Sequence, residues 1–290
     1  MKNMRKIHIR RFSNDKQGVV GVVVTVLLVG LILAVMVLIN NVYVPQWLEQ
    51  EEANHMDTVG NQFTQLKYSL DLQSILKQPN AMSSYITLGN RELPILAVGR
   101  TFGTIQIQDA TCNITLNCDQ YTPVTYRLGG VSYSSNNAYF VDQTYTYQSG
   151  ALILSQGTAN ALSGKPSFVI NENGENLSFI LVNVTGTIGK RVATGYGTYP
   201  IHSEYVSANT LVWENVTNLT ITVESAYLNS WLVAFNSTLA NSIYYSYKEN
   251  YDIEIQNNQM ILTIYDKMLR ACDFSIAKIF TQVAPGWVED

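Results

Sequence analysis

Gly18 to Ile39, GVVGVVVTVLLVGLILAVMVLI, is a run of 22 residues with no charge, and Thr25 carries its only hydroxyl. At about 1.5 Å per residue a helix of that length covers roughly 33 Å, against about 30 Å for the hydrocarbon core of a bilayer. A helix satisfies its own backbone donors and acceptors, which lipid demands. The Val-rich composition favours a strand in water, and a bilayer overrides that preference. An apolar run longer than about 18 residues argues for a membrane span over a buried core helix.

The charges on either side give the span a direction. Lys2, Arg5, Lys6, Arg10, Arg11 and Lys16 stand against Asp15 in residues 1–17, a net of +5, which leaves −9 for the rest of a chain whose total is −4. Short basic flanks stay cytoplasmic. The expectation is a single-pass protein with a cytoplasmic leader (1–17), a transmembrane helix (18–39) and everything after it outside the cell. Tyr43 and Trp47 lie just past the outer end, where amphipathic rings settle among headgroups. A cleaved secretory signal would have an apolar core of about 7–15 residues and a small-residue cleavage site. Asn40-Asn41-Val42-Tyr43-Val44-Pro45 offers no such site, so the segment is read as an anchor.

Six Asn-x-Ser/Thr sequons, at Asn113, Asn176, Asn183, Asn215, Asn218 and Asn236, all follow the span, as expected of a glycoprotein's outer domain. Cys112 and Cys118 flank Asn-Ile-Thr-Leu-Asn and are expected to close a short disulfide loop in an oxidising compartment, leaving Cys272 as a buried thiol. No metal is expected, because three cysteines without nearby histidines supply too few ligands.

Residues 40–78 read as a helical stalk. Met56, Val59, Phe63, Leu66 and Leu70 recur at alternating spacings of three and four, an a/d stripe that packs either on the chain's own globular domain or on neighbouring copies. Pro45 is expected to kink or break the helix near the membrane surface. Residues 79–290 read as strands. Tyr85–Leu88, Ile105–Gln108 and Leu219–Val223 alternate with period two, and three hairpins are expected. One joins Val141–Tyr147 to Ala151–Ser155 through Gln148-Ser149-Gly150, a short loop. A second joins Phe168–Ile170 to Leu177–Val182 through an Asn173-Gly174 type I′ turn. A third joins Tyr251–Ile255 to Met260–Ile264 across Asn257-Asn258. Ser230–Leu239 reads as one helix with Asn229 as its N-cap. The fold class is therefore an all-β ectodomain, antiparallel and sandwich-like or an open barrel, carried on a long N-terminal transmembrane and stalk helix. About 210 residues would also accommodate two stacked β modules.

No catalytic constellation emerges. Beyond the span there are two histidines, His55 and His202, and neither is accompanied by a G-x-S-x-G context. There is no P-loop or dinucleotide fingerprint. Asn171–Asn176 looks superficially like a calcium loop, yet with Gly174 as its sixth residue the twelfth would be Ile180 instead of a bidentate Glu. The acidic outer portion argues against a nucleic-acid partner. No enzyme activity and no cofactor are expected.

The leader ending Asn14-Asp15-Lys16-Gln17-Gly18, followed by Val19-Val20-Gly21-Val22-Val23-Val24 entering an unbroken apolar helix, resembles the class III signal peptide of archaeal type IV pilin-like proteins. The stalk from Val44-Pro45-Gln46-Trp47 through Glu52, His55-Met56 and Phe63 is similar as well, so the resemblance covers about the first 75 residues. Gln17 stands between Lys16 and Gly18, where the family pattern places Gly or Ala directly after the basic residue. The resemblance implies a processing site at Lys16, Gln17, Gly18 and Val19 for a prepilin peptidase. It also implies self-assembly with copies or other pilin-like subunits, the helices bundling into a filament core with β-rich heads outside. Gly18, Gly21, Gly30 and Ala34 would permit close helix approach. The alternative is a single-pass surface protein whose β domain binds a ligand or partner and never assembles.

Overall fold

A computed structural model of the chain describes residues 16–89, 101–171, 173–265 and 269–283. The chain divides into two compact units, with the boundary between Leu48 and Glu49. Helix α1 (Lys16–Leu38) runs without a break into one π turn (Ile39–Tyr43), and helix α2 (Val44–Leu76) follows. The π turn has a local cause. Proline lacks an N–H and its ring collides with the carbonyl four residues back, so a wider turn just before Pro45 lets the helix continue. Its signature is the Val44 amide, which reaches back to the Ile39 carbonyl. Pro45 therefore produces a register change in a continuous helix. At the other end Lys77 adopts a left-handed φ of 51° and its amide bonds the Gln73 carbonyl, a helix-terminating cap.

Past residue 81 the described residues are nearly all β. One sheet has five strands in the order β1 (Met82–Thr87), β10 (Thr198–Val216), β14 (Leu269–Val283), β8 (Asn176–Gly186) and β7 (Ser167–Ile170). The other has nine. Its main path is β12 (Tyr251–Gln256), β13 (Gln259–Ile264), β11 (Leu219–Ser225), β2 (Phe102–Cys118), β3 (Val124–Asn136), β4 (Thr144–Gln148), β5 (Ala151–Gln156) and β6 (Ala159–Gly164), and β9 (Val192–Gly195) joins it on β2. Among the described strands every pairing is antiparallel except β8 with β14. The long strands β2 and β10 change register at Gln108/Cys112 and at Tyr205/Ser207, and such bulges bend a strand and help a sheet curl.

Helix α3 (Leu228–Leu239) touches both β6 and β12, the two outer strands of the nine-stranded path, and so bridges the edges of that curled sheet. It begins earlier than the expected Asn229 cap, at Leu228 after Tyr227. The reason is tertiary. The Oδ1 of Asn160, on β6, accepts both the Ser230 amide at 3.1 Å and the Ser230 hydroxyl at 2.7 Å, so a distant side chain does the capping.

Two apolar clusters hold the β domain together, each drawing on both sheets. One is built around Trp213, Trp231, Phe235, Phe179 and Phe274. The other takes in Met56, Val59, Phe63, Leu66 and Leu70 of α2, every one 0–1% exposed, with Tyr133, Tyr145 and Tyr147. The a/d stripe thus packs on the chain's own sheets. Burying side chains of that kind is worth about 1.5–3 kcal/mol each.

The hairpins form as expected, with one change of turn. Ser149-Gly150 and Asn257-Asn258 all have positive φ, the two-residue geometry that matches strand twist. Between β7 and β8, Gly174 has φ 67°, and Ile170 pairs with Leu177 across a longer loop. There the Asn171 side chain accepts the amides of Glu175 and Asn176 and replaces the tight Asn-Gly turn.

Candidate functional site: an exposed apolar helix and the polar anchors of α2

From Val20 to Leu38 every side chain of α1 is exposed, including Leu27 at 68% and Leu31 at 65%. This is the one helix among the described residues that is long and apolar enough to cross a membrane. Its single hydroxyl is internally satisfied, since Thr25 Oγ donates to the Gly21 carbonyl at 2.9 Å. A Cβ placed on Gly21 or Gly30 would meet nothing within 4 Å, so both glycines present bare backbone on open faces. Tyr43 and Trp47 are also exposed, at 59% and 50%.

Polar side chains of α2 between Glu52 and Gln73 fasten it to the β domain. The Glu52 carboxylate is 4% exposed and accepts the backbone amides of Ala138, Tyr139 and Phe140 at 3.0, 2.8 and 2.6 Å. Three convergent N–H groups form an anion-holding concavity, and the carboxylate fills it. One turn on, His55 Nε2 lies 3.2 Å from the Tyr133 hydroxyl, which itself donates to the Leu88 carbonyl at 2.9 Å. The single phenolic hydrogen is spent on Leu88, so His55 holds its proton on Nε2 and donates it to Tyr133. Burial lowers the His55 pKa, while the Leu88 carbonyl and the Glu52 charge act in the opposite direction.

Further along, Gln62 both accepts the Thr87 amide at 2.8 Å and donates to the Thr87 hydroxyl at 3.1 Å, covering an outward amide of edge strand β1. Lys67 pairs with Asp71, and the second Asp71 oxygen accepts the Tyr147 hydroxyl at 2.9 Å. Burial raises the Asp71 pKa in spite of the Lys67 ammonium, and it raises that of the Tyr147 phenol well above 10. Gln73 donates to the carbonyls of Asn80 and Ser203. A second buried amide ties β2, β11 and α3 together. Gln148, with no exposed surface, accepts Trp231 Nε1 and Ser225 Oγ at 2.7 Å each and donates to the Thr111 carbonyl at 2.7 Å.

The residues singled out in the sequence fall in several places. Lys16, Gln17, Gly18 and Val19 begin helix α1, and residues 1–15 of the leader lie outside the described residues. Among the sequons, Asn176, Asn215 and Asn218 are exposed. Asn113, Asn183 and Asn236 are half-buried and engaged with Glu224, Gly129 and Tyr251. A glycan would need an exposed Asn with a free amide nitrogen, and the Asn218 nitrogen donates to Asp119, which favours Asn176 and Asn215.

The expected Cys112–Cys118 loop is not formed. Both residues sit in the one continuous strand β2, paired residue by residue from Ser225 to Leu219, which separates their Cα atoms by about 20 Å. A disulfide needs a Cα separation below about 7 Å. All three cysteines are buried thiols.

His202 does meet a hydroxyl, because its Nδ1 lies 2.7 Å from Ser83 Oγ. The two are directly opposite in β1 and β10, and only the fold could reveal a pairing across 119 positions. Ser83 also lines an open groove of about 390 Å³ with Thr64, Gln65, Tyr68 and Tyr85. A hydrolase needs, besides such a pair, an orienting carboxylate and aligned oxyanion donors. Among the described residues no group of three or more His, Cys, Asp or Glu could hold a metal ion.

Glu52 and His55 were missed in the sequence although a signal was there. They fall one turn apart and flow directly into the Met56–Leu70 stripe, so ionisable groups sit on a face that becomes buried. No protein-family model, curated protein or solved structure matches this chain.

Proposed function

We propose that this chain is a non-catalytic, pilin-like subunit of the cell surface. Its apolar helix is held in the membrane or bundled with copies in a filament, and its β domain, a sandwich of two curled sheets, is displayed outside. The observation that carries the reading is the state of α1. Nineteen consecutive residues, Val20–Leu38, are uncovered and apolar on all sides, and water is a poor solvent for such a surface. Lipid tails or neighbouring apolar helices are the environments that suit it. Gly21 and Gly30 supply places for close helix approach. The α2 stripe is already consumed by the chain's own β domain, so helix-to-helix assembly falls to α1. The basic leader and the sequons beyond the span favour an inside N-terminus and an outside domain.

Mass spectrometry of the mature N-terminus tests this, comparing membranes with mechanically sheared surface material. A protein beginning at about Val19 and recovered in the sheared fraction is the expected result. An intact Met1 terminus confined to membranes would remove the filament and leave an anchored surface protein.

A further inference from the structure

Cys118 and Cys272 enter the same apolar cluster from different sheets. Cys118 closes β2, on the side that also buries Cys112, Ile114 and Leu116, and lies opposite Leu219. Cys272 is buried in β14, opposite Trp213 of β10. Between Val216 and Leu219 the chain passes from one sheet to the other, so both cysteines lie near the corner where the sheets meet.

Side-chain contacts tie that corner together. Tyr121, three residues past Cys118, stacks on the Trp213 ring at 5.4 Å and 7°, and its hydroxyl accepts the Glu214 amide at 3.2 Å. Gln120 Nε2 donates to the Thr217 hydroxyl at 2.9 Å. Trp213 therefore borders Cys272 through strand register and the Cys118 segment through ring stacking. The Cys118 sulfur lies near enough to Cys272 to help raise its pKa, behind the larger effect of burial.

We propose that Cys118 and Cys272 form an intersheet disulfide when the chain folds in an oxidising compartment, and that Cys112 stays a buried thiol. The oxidant is an external disulfide, either glutathione disulfide or the disulfide of a protein thiol oxidase. One cysteine thiolate attacks it and releases the first donor thiol, which leaves a mixed disulfide. The second cysteine thiolate attacks the protein sulfur of that mixed disulfide, closes the Cys118–Cys272 bond and releases the second donor thiol. Two electrons pass to the donor, and the two protons lost by the cysteines end on its two thiols.

In the closed core this exchange is slow, because burial pushes the Cys272 thiol up to about 12 and leaves almost no thiolate. Bridging therefore belongs to folding, before the corner seals. Pairing rests on geometry alone, whereas its occurrence in the cell rests on the extracytoplasmic placement proposed above.

The test uses the full chain in detergent. It is reduced and denatured, refolded with glutathione disulfide present, alkylated in denaturant, and mapped by mass spectrometry without reduction. The expected product links the Cys118 and Cys272 peptides and leaves Cys112 alkylated. Cys112→Ala should keep the link, and Cys118→Ser or Cys272→Ser should abolish it without recruiting Cys112. Reducing the bridged protein should lower its thermal midpoint by roughly 5–10 °C.

A link that includes Cys112, or three alkylated thiols in fully refolded protein, overturns the pairing. Protein isolated from cells without unfolding is mapped in the same way and covers the case of poor refolding. A link that forms on refolding but is missing in the cellular protein upholds the pairing and removes the extracytoplasmic placement.

Discussion

Helix α1 and the buried half of α2 are both regular helices, yet they owe their order to opposite circumstances. Along Val20–Leu38 no side chain is covered, and along Met56–Leu70 one stripe is covered completely. The first is apolar all round and needs an apolar surrounding. The second is amphipathic and carries its own surrounding in the form of two β-sheets. A heptad-like stripe alone could not say which of its two candidate partners it meets. The β domain has taken it, with Phe63 stacked on Tyr145 at 5.8 Å and beside Tyr133 at 6.4 Å. Of the two, the helix without polarity is the one left uncovered.

The sharpest way to break this contrast is to truncate one side chain in each helix. Phe63→Ala should cost about 3–5 kcal/mol of β-domain stability, since it opens a cavity among aromatic rings. Leu27→Ala should leave that stability within about 0.5 kcal/mol, because the Leu27 side chain is exposed. Urea unfolding in detergent, followed by tryptophan fluorescence from Trp213 and Trp231, measures both. Equal losses would mean that the two helices are not energetically distinct.

The converse substitution puts a charge where apolarity is the only requirement. Leu28→Arg, near the middle of α1, should cost about 3 kcal/mol of membrane insertion. At about 1.4 kcal/mol per decade that is roughly a hundredfold change in partition. Resistance to alkaline extraction from membranes is the readout, and the urea midpoint of the β domain should not move. A variant as firmly retained as the parent would show that α1 is held by something other than lipid.

The two regions also differ in how much of them could be read from sequence. Helix α1 was legible as one long apolar helix, because 22 apolar residues admit few solutions, but the π turn that follows it was not. The α2 stripe was legible as a stripe. Its anchors were less so, since Glu52 meets backbone 86 to 88 positions away and Tyr133 lies 78 positions from His55. Hairpins whose turns are local, at Ser149-Gly150 and Asn257-Asn258, could be read directly.

The Cys112–Cys118 loop was misread although the corrective was local. Cys112, Ile114, Leu116 and Cys118 alternate with Asn113, Thr115 and Asn117, a period of two that puts both cysteines on one face of an extended strand. Strand periodicity outweighs close cysteine spacing here. The start of α3 could not be read at all, because Asn160 caps it from 70 positions away.

The smallest effect concerns pH, and it separates the two helices again. Within the described residues α1 has no titratable group from Gln17 to Leu38, and α2 has His55 buried at its first anchor. Burial lowers the folded pKa of His55 below its ordinary 6.5, so the folded state binds this proton less readily than the unfolded chain. The contribution is therefore complete above about pH 6.5 and is lost as the pH falls from there through the folded pKa. Asp71 slopes the other way, because its folded pKa is raised and its carboxylate costs stability as the pH climbs from 3.8 through the folded value. Comparing the parent with His55→Gln cancels Asp71. The difference in their urea midpoints should be constant above pH 7 and should shift in favour of His55→Gln between pH 6.5 and 5. A difference that stays flat through that interval would mean that His55 is protonated as readily in the folded domain as in the unfolded chain. The Leu88 carbonyl and the Glu52 carboxylate one turn away would then balance burial.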